Sequence, residues 1–349
     1  MERTYWIGLD AHSAETEVAV LTPGGQVRER RRVVTALPQL RAVIAAVPRP
    51  RRVVLEESTI ADWLWRNLKD LAEEEVVCDP RHNRLIGGAE DKDDRRDAEA
   101  LARLLRGGFV KRVHHPESLT RITFKEHVAL YHDRVRQRVR EANRLGGMLR
   151  RYGIAAREKD FADPERRPQL FERLPDDELL RASLELAWFG YDGVATQVVE
   201  CRKHLVLRAR EEEVLQRWVA VPGVHWVRAA TLFVHLDTPW RFRSKAALWR
   251  YLGIGLRRRQ SGSGPGWLGV PRQVNRRLKA TILGAALSAV SGDNPFAAQQ
   301  QRWLKQGLAP LVARRNVARS LACTLWGMWK NQQAYRPEWV GVAAAASAG

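Results

Sequence analysis

The spacing of apolar residues predicts alternating strands and helices in the first part of the chain. Five short strands are predicted, at 5–9, 17–21, 26–34, 52–55 and 76–78. Apolar positions with helical spacing occupy 37–46 and 60–73, between those strands. A Thr-Pro-Gly-Gly turn at 22–25 joins the second and third strands.

The order of these elements predicts the fold class of the N-terminal part. An antiparallel meander comes first, and strand–helix–strand units follow within about 110 residues. This is the order of a ribonuclease-H-like (RuvC-like) α/β sheet. The actin-like ATPase fold opens similarly but needs a Gly/Thr-rich phosphate hairpin, and Ala11-His-Ser-Ala14 stands in that place. We therefore favour the interpretation as a ribonuclease-H-like fold.

Long charged amphipathic patterns dominate the middle of the chain. They cover 118–152 and 178–219, with a polar, Pro-containing loop predicted at 155–175. The two helices are expected to pair antiparallel and to offer a dimerising coiled coil. A mainly α-helical region follows, with a Gly-rich segment at 253–269.

This pattern divides the 349 residues into domains. The predicted parts are a catalytic domain at 1–115, a helical stalk at 116–215, a basic domain at 216–335 and a disordered tail at 336–349.

The net charge of +19 is concentrated in the last third of the chain. Residues 216–349 contain 20 Lys and Arg against 3 Asp and Glu. So uneven a distribution favours a nucleic-acid surface over a general solubility device. Nine of the 13 Trp also lie in this segment. They could stack on unpaired bases, but we favour a role as core residues.

The remaining composition restricts the cellular context. Three widely spaced Cys support neither a disulfide framework nor a zinc site. No signal-type apolar segment and no run of about 18 apolar residues is found, so we expect a cytoplasmic protein without a membrane partner.

Acidic residues follow two of the predicted strands and open a predicted helix. Asp10 comes one residue after the first strand, and Glu56 follows the strand at 52–55. Asp94 and Asp97 lie three residues apart at the start of a helix, so they share one face. Each acid alone could be a solvated turn or helix-capping residue, and their conjunction favours a site.

Four carboxylates gathered at one sheet edge would bind a hard cation. Mg²⁺ is the expected ion and Mn²⁺ the alternative, with phosphodiester displacement as the chemistry. Glu57, Asp91 and Asp93 are close enough in sequence to replace a neighbour in this assignment.

The basic domain contains two further candidate elements. Residues 215–236 read as two helices joined by a Pro-Gly turn, either a helix-hairpin-helix that grips phosphate or an ordinary packed helix pair. A Gly-rich loop carries Ser261 and Ser263. Either a serine of this loop is a nucleophile, or the loop binds backbone phosphate through its N–H groups. Spacing alone favours phosphate binding. The basic residues expected to contact nucleic acid are Arg257, Arg258, Arg259, Arg276, Arg277 and Lys279.

Several ordered motifs resemble one family, the DEDD insertion-sequence transposases of the IS110 type with a C-terminal serine domain, and related pilin-type invertases. The motifs are Gly8-Leu-Asp10, Leu55-Glu-Glu-Ser-Thr59, Asp79-Pro-Arg-His82, Asp94-Arg-Arg-Asp-Ala98, Val221-Pro-Gly-Val224 and Gly253-Ile-Gly-Leu-Arg-Arg-Arg-Gln-Ser-Gly262. Asp93, His225 and Leu256 depart from the family pattern of Thr, Gly and Pro.

The resemblance implies a mechanism and partners. It implies that Asp10, Glu56, Asp94 and Asp97 bind Mg²⁺ beside the scissile phosphate. It further implies that Ser261, with Ser263 as the fallback, attacks that phosphate to form a covalent protein–DNA intermediate. The implied partners are donor and target DNA, an element-encoded guide RNA, and further copies of the chain in a homodimer or homotetramer.

Three functions remain open at this stage. The leading one is an RNA-guided DNA recombinase. A Holliday-junction-type resolvase would hydrolyse DNA with the same acids and use the serine only for binding. A non-catalytic nucleic-acid-binding protein would bind tightly without metal-dependent cleavage.

Overall fold

The computed structural model describes residues 3–80, 94–116, 118–259, 267–269 and 274–340, with the backbone alone at 94–96, 257–259, 267–268 and 339. The chain divides into two compact units, Met1–Glu117 and Ser118–Gly349. Because Ser261, Ser263, Asp91 and Asp93 lie outside the described residues, the expectations for them stay predictions.

A five-stranded mixed sheet forms the centre of the first unit. Its strand order is β3-β2-β1-β4-β5. The first three strands form an antiparallel meander, and β1, β4 and β5 run parallel. The strands are β1 (Tyr5–Ala11), β2 (Glu15–Leu21), β3 (Val27–Val34), β4 (Arg51–Glu56) and β5 (Glu74–Cys78).

Alternation along the strands gives the sheet two different faces. One face presents Ile7, Leu9, Val53 and Leu55, and helices α1 (Leu37–Ala45) and α2 (Ala61–Leu68) complete this core. The opposite face carries Val54, Val76 and Cys78, which pack against Leu101 and Leu105 of α3 (Asp94–Arg106). Both faces are therefore covered, as a sheet with central parallel strands requires.

An antiparallel pair of long helices opens the second unit. They are α4 (Leu119–Arg150) and α7 (Glu178–Arg210). His127 Nε2 is 2.9 Å from the Cys201 carbonyl oxygen, and Arg134 Nη1 donates to Gln197 Oε1 at 3.2 Å, which shows the opposed directions. Two short helices, α5 (Glu158–Phe161) and α6 (Arg167–Phe171), close one end of the pair around a small core with Trp188.

The other end of the pair belongs to a larger helical core. Phe124 and Val128 of α4 are buried with Trp218, Phe233 and many aliphatic side chains of later helices. Those helices are α8 (Glu213–Trp218), α9 (Trp226–Leu236), α10 (Lys245–Tyr251), α11 (Arg276–Ala289), α12 (Pro295–Lys305) and α13 (Pro310–Asn331). Two short strands, β6 (Arg257–Arg259) and β7 (Trp267–Gly269), pair antiparallel.

The structure confirms an α/β N-terminal part and a helical C-terminal part and corrects some boundaries. The helix predicted over 178–219 ends at Arg210, and α8 begins after it, because Leu215 and Trp218 turn into the large core. The predicted 155–175 loop contains two short helices because Phe161 and Leu170 are buried. The ribonuclease-H-like assignment, the coiled coil and the four-part domain division stay predictions.

No helix within the described ranges combines the length and the apolar character that crossing a membrane requires.

Glu75 on β5 is a half-buried residue whose carboxylate group is enclosed. Both of its carboxylate oxygens are buried and have no hydrogen bond within the described part of the chain. Burial, and secondarily the nearby Asp70 carboxylate, raise the pKa of Glu75 from 4.5 to about 9. Glu75 is therefore protonated in the folded protein at neutral pH.

Glu75→Gln should flatten the pH dependence of stability between about pH 5 and pH 9. The folded protein holds a proton on Glu75 that the unfolded chain has lost in this window, so Glu75 contributes a fall in the free energy of unfolding as pH rises. The amide is neutral throughout, and the variant should gain on the order of a few kcal/mol at pH 8. Denaturant unfolding at several pH values measures this. Glu74→Gln, at the adjacent ion-paired acid, should keep the wild-type slope, and an unchanged slope in Glu75→Gln would refute the assignment.

Candidate functional site

Asp10 and Glu56 occupy neighbouring positions at one edge of the sheet. Leu9 and Leu55 are paired in the parallel β1–β4 register, so the acid that follows each lies at the same level. Glu56 ends β4, whereas Asp10 lies inside β1 and pairs with Glu17 of β2, which corrects the prediction that it follows the strand. By alternation both acids belong to the face that α3 covers.

Gly8 lets α3 approach this face at backbone distance. A Cβ at Gly8 would lie 2.0 Å from the Ala98 carbonyl oxygen and 2.9 Å from the Ala102 amide nitrogen. No side chain fits in that gap, so glycine is required there for steric reasons. Ala98 and Ala102 are the matching small residues on the helix.

The direction of α3 brings its first turn to the edge that holds the acids. Arg106 Nη2, at the last residue of α3, donates to the Gly24 carbonyl oxygen at 3.2 Å, in the β2–β3 turn beside the start of β1. Position 94 lies four residues before Ala98, about 6 Å along the helix. Asp10 lies two residues beyond Gly8, about 7 Å along the strand. The start of α3 and Asp10 therefore reach the same level.

The described side chains do not form a metal site by themselves. Among the residues that the structure describes, no three His, Cys, Asp or Glu side chains gather closely enough to hold an ion. Asp97 is exposed on α3, and the side chain of Asp94 is outside the description. The structure thus shows two of the four predicted acids on one edge and face, and leaves the complete set as a prediction.

Two residues beside Asp10 were missed by sequence reasoning. His12 Nε2 lies 3.3 Å from Asp10 Oδ2 as an exposed ion-pair partner. Glu17 is buried, and its Oε1 accepts a hydrogen bond from Arg32 Nε at 2.5 Å. The available signal was Glu17 directly before the apolar run Val18–Leu21 of β2, because an acid in a buried strand needs a partner.

In the second unit, the residues just before the predicted serine loop are firmly held. Arg319 of α13 donates from Nε and Nη2 to the Ile254 carbonyl oxygen at 3.0 and 2.9 Å. Gly253 has a φ of +70°, and a Cβ there would also crowd Val274. The start of the loop is therefore fixed by two hydrogen bonds and a glycine, although the serines themselves are not described.

The six predicted nucleic-acid contacts are only partly visible. The side chains of Arg257, Arg258 and Arg259 lie outside the description. Arg276, Arg277 and Lys279 lie in the first turn of α11, where Arg276 is exposed and the other two are half-buried. Burial, and then the neighbouring Arg136, lower the pKa of Arg277.

The Pro-Gly turn of the second unit packs against a helix. Gly223 has a φ of +78°, and a Cβ there would lie 2.2 Å from the Ala285 carbonyl oxygen of α11. Val221 and Val224 on either side of it are buried. These contacts support the ordinary packed helix pair over an exposed phosphate-gripping hairpin.

Trp side chains of the basic region serve mainly as core where they are described. Trp218 is fully buried and forms an edge-to-face pair with Trp329, with ring centroids 5.4 Å apart. Trp240 differs, since its side chain is 71% exposed. Within the described part of the chain, the Lys330 ammonium is the only group that forms a ring contact with it.

Comparison with known protein families assigns the chain to a family. Residues 7–154 match a family model described as Transposase, of the DEDD type, and residues 216–301 match the model Transposase IS116/IS110/IS902 family. No curated protein sequence matches the chain. The protein is therefore a transposase, of the class that cuts and rejoins DNA. More closely, it belongs to the IS110 family of insertion-sequence transposases, which both models describe.

Gly8→Ala should separate α3 from the sheet and lower the stability of the first unit. The added Cβ meets helix backbone, which cannot move aside alone, so we expect a loss of about 1–3 kcal/mol in the free energy of unfolding. Denaturant unfolding measures this. Gly24→Ala is the matched control, because the nearest atom to its Cβ would be a Thr22 side-chain oxygen at 3.8 Å. Equal stability of the two variants would contradict the role of Gly8.

Arg319→Leu should loosen the chain before the serine loop. Without the guanidinium the Ile254 carbonyl oxygen loses both of its donors, at a cost of about 1–3 kcal/mol. We expect faster amide hydrogen exchange at 252–255. Arg302→Leu, on the exposed face of α12, is the control and should leave that exchange unchanged. Unchanged exchange in Arg319→Leu would show that the contact of Arg319 with the Ile254 carbonyl oxygen does not hold this segment.

Proposed function

We propose that the protein cleaves and rejoins DNA by strand transfer through a covalent serine intermediate. The acids Asp10, Glu56, Asp94 and Asp97 bind the metal ion on a ribonuclease-H-like domain. Ser261 of the basic domain is the nucleophile, and Ser263 is the fallback.

The observation that carries the proposal is the shared position of Asp10 and Glu56. The β1–β4 register places them side by side, on the face to which Gly8 admits the start of α3. The strand order β3-β2-β1-β4-β5 supports the ribonuclease-H-like assignment. In this order β1 belongs both to the antiparallel meander β1–β3 and to the parallel strands β1, β4 and β5. The family membership supplies the reaction class independently.

These acids suit a divalent cation of the Mg²⁺ type, with Mn²⁺ as a substitute. Carboxylate oxygens are the donors that such hard ions prefer. When bound, the ion would stabilise negative charge on the phosphate oxygens during displacement. Asp10 and Glu56 would hold it from the sheet, and positions 94 and 97 from the helix above.

The serine step is a transesterification that conserves the phosphodiester. The Ser261 oxygen forms a bond to phosphorus, the bond from phosphorus to one sugar oxygen breaks, and that sugar oxygen takes up a proton. The hydroxyl proton of the serine passes to a basic oxygen of the site or to water. Attack by the hydroxyl of another DNA end reverses these bonds and releases the serine.

The charge of the C-terminal third fits the partners that we propose. Its 20 Lys and Arg against 3 Asp and Glu suit donor and target DNA together with a guide RNA encoded by the same element. We further propose that the protein acts in the cytoplasm as a homodimer or homotetramer.

The decisive experiment detects covalent protein–DNA adducts. The probe is a labelled duplex carrying the ends of the element that encodes the chain, with RNA that copurifies with the protein and with Mg²⁺. Ser261→Ala, Asp10→Asn and Glu56→Gln should each lower adduct formation by about 10³-fold or more. Ser263→Ala and Glu57→Gln are the matched controls, at the neighbouring serine and the neighbouring exposed acid.

Three results would overturn the proposal. Undiminished adducts in Ser261→Ala would remove that serine as the nucleophile, and loss of adducts in Ser263→Ala would reassign the role. Metal-dependent cutting by the wild type without any adduct would instead identify a hydrolytic resolvase.

A further inference from the structure

Two histidines of the second unit meet at one threonine. Thr231 of α9 donates its hydroxyl proton to the Val227 carbonyl oxygen at 2.7 Å. His132 Nε2 of α4 lies 2.8 Å from the Thr231 hydroxyl oxygen, so the imidazole is the donor in that contact. His235 Nδ1 donates to the Thr231 carbonyl oxygen at 2.8 Å.

These hydrogen bonds define which ring nitrogens remain basic. His132 carries its proton on Nε2 and keeps the lone pair on Nδ1, whereas His235 carries its proton on Nδ1 and keeps the lone pair on Nε2. Burial is the main reason that the pKa of each lies at about 4, and Arg277 lowers both further. Both imidazoles are neutral at pH 7 in the free protein.

Several cations act electrostatically on this pair of histidines. We name the place the α4–α9–α11 junction. Its histidines are His132 and His235, and the charged groups that act on them or on Arg277 are Lys125, Asp133, Arg136, Arg241 and Arg277. Asp133 is the one acid of this set, and Arg134 and Arg136 already pair with it at 3.0 Å.

Arg277 is the member that most needs an anion. It is half-buried, and no carboxylate among the described residues lies within ion-pair distance of its guanidinium. Partial desolvation of a cation is costly. Two charged groups act on Arg277: Arg136 is like-charged, and Asp133 is already paired with Arg134 and Arg136. A phosphate placed there would add negative charge and accept several hydrogen bonds.

We propose that the α4–α9–α11 junction binds a phosphodiester of a nucleic-acid backbone and that binding adds protons to His132 and His235. The anion offsets the repulsion among the cations, so protonation becomes favourable in the complex. Each new N–H bond forms at the ring nitrogen that is free in the unbound state. The inference rests on the nucleic-acid binding of the proposed function and is independent of strand cleavage.

The test measures affinity against pH without divalent ions, so that failure of strand transfer does not affect it. Labelled duplex DNA and a labelled RNA hairpin are titrated by fluorescence anisotropy at pH 5.5 and pH 7.5, at constant ionic strength. Proton uptake should raise wild-type affinity by about tenfold at the lower pH for the nucleic acid that occupies the junction. The other probe should show a smaller change, which identifies the source of the phosphodiester.

The substitutions remove titration but keep the hydrogen bonds. In His132→Gln the amide nitrogen replaces Nε2, and in His235→Asn it replaces Nδ1. The double variant should bind as the wild type does at pH 7.5 and lose the gain at pH 5.5. His225→Gln, at an exposed histidine of the same unit, should keep that gain.

Arg277→Gln and Arg276→Gln provide a second matched pair. The half-buried Arg277 should be needed for both affinity and its pH dependence, whereas loss of the exposed Arg276 should weaken binding equally at both pH values. Calorimetry of the wild type at pH 6, in buffers of different ionisation enthalpy, counts the protons directly. It therefore gives an answer even if a variant fails to fold. Absence of proton uptake, or an unchanged pH dependence in the double histidine variant, would overturn the proposal.

Discussion

The close approach of one helix to one strand at Gly8 is the constraint on which the first unit depends. A Cβ at this position would lie 2.0 Å from the Ala98 carbonyl oxygen, so α3 can reach the sheet only where a side chain is missing. The same contact determines how far along β1 the helix starts. Because the chain enters α3 at the level of Asp10, the contact at Gly8 sets both the packing of the helix and the position of its first acids. A larger residue at position 8 would move the helix and its acids together.

Much of this fold was predictable because hydrophobic periodicity reports which face of an element is buried. The five strands and the helices between them follow their apolar pattern closely, and the long helices at 119–150 and 178–210 follow theirs. The errors arose where tertiary packing overrode local pattern. Helix α7 continues through Gly190 and Gly193 yet ends at Arg210, where Leu215 and Trp218 turn into another core. No local signal marks such a turn.

The candidate site was predictable to a smaller extent. Acids predicted to follow two of the strands pointed to one edge of the sheet, and the register of β1 with β4 brings Asp10 and Glu56 together there. The Arg32–Glu17 pair forms across β2 and β3, and it lies beside Asp10 because β2 also pairs with β1. Spacing along the chain does not reveal this register. Gly223 likewise reads as an exposed turn in the sequence and proves to be a contact with α11. The contact between His132 and Thr231 in the second unit joins residues 99 positions apart.

The central claim is that the sheet edge of Asp10 and Glu56, together with the start of α3, binds a divalent ion. Titration of the intact protein with Mn²⁺, followed by the electron paramagnetic resonance signal of the free ion, measures this directly. We expect saturable Mn²⁺ binding by the wild type and its loss in Asp10→Asn and in Glu56→Gln. Glu99→Gln, at an α3 acid already paired with Arg30 and Arg103, should bind as the wild type does. Wild-type Mn²⁺ binding in both Asp10→Asn and Glu56→Gln would contradict the account.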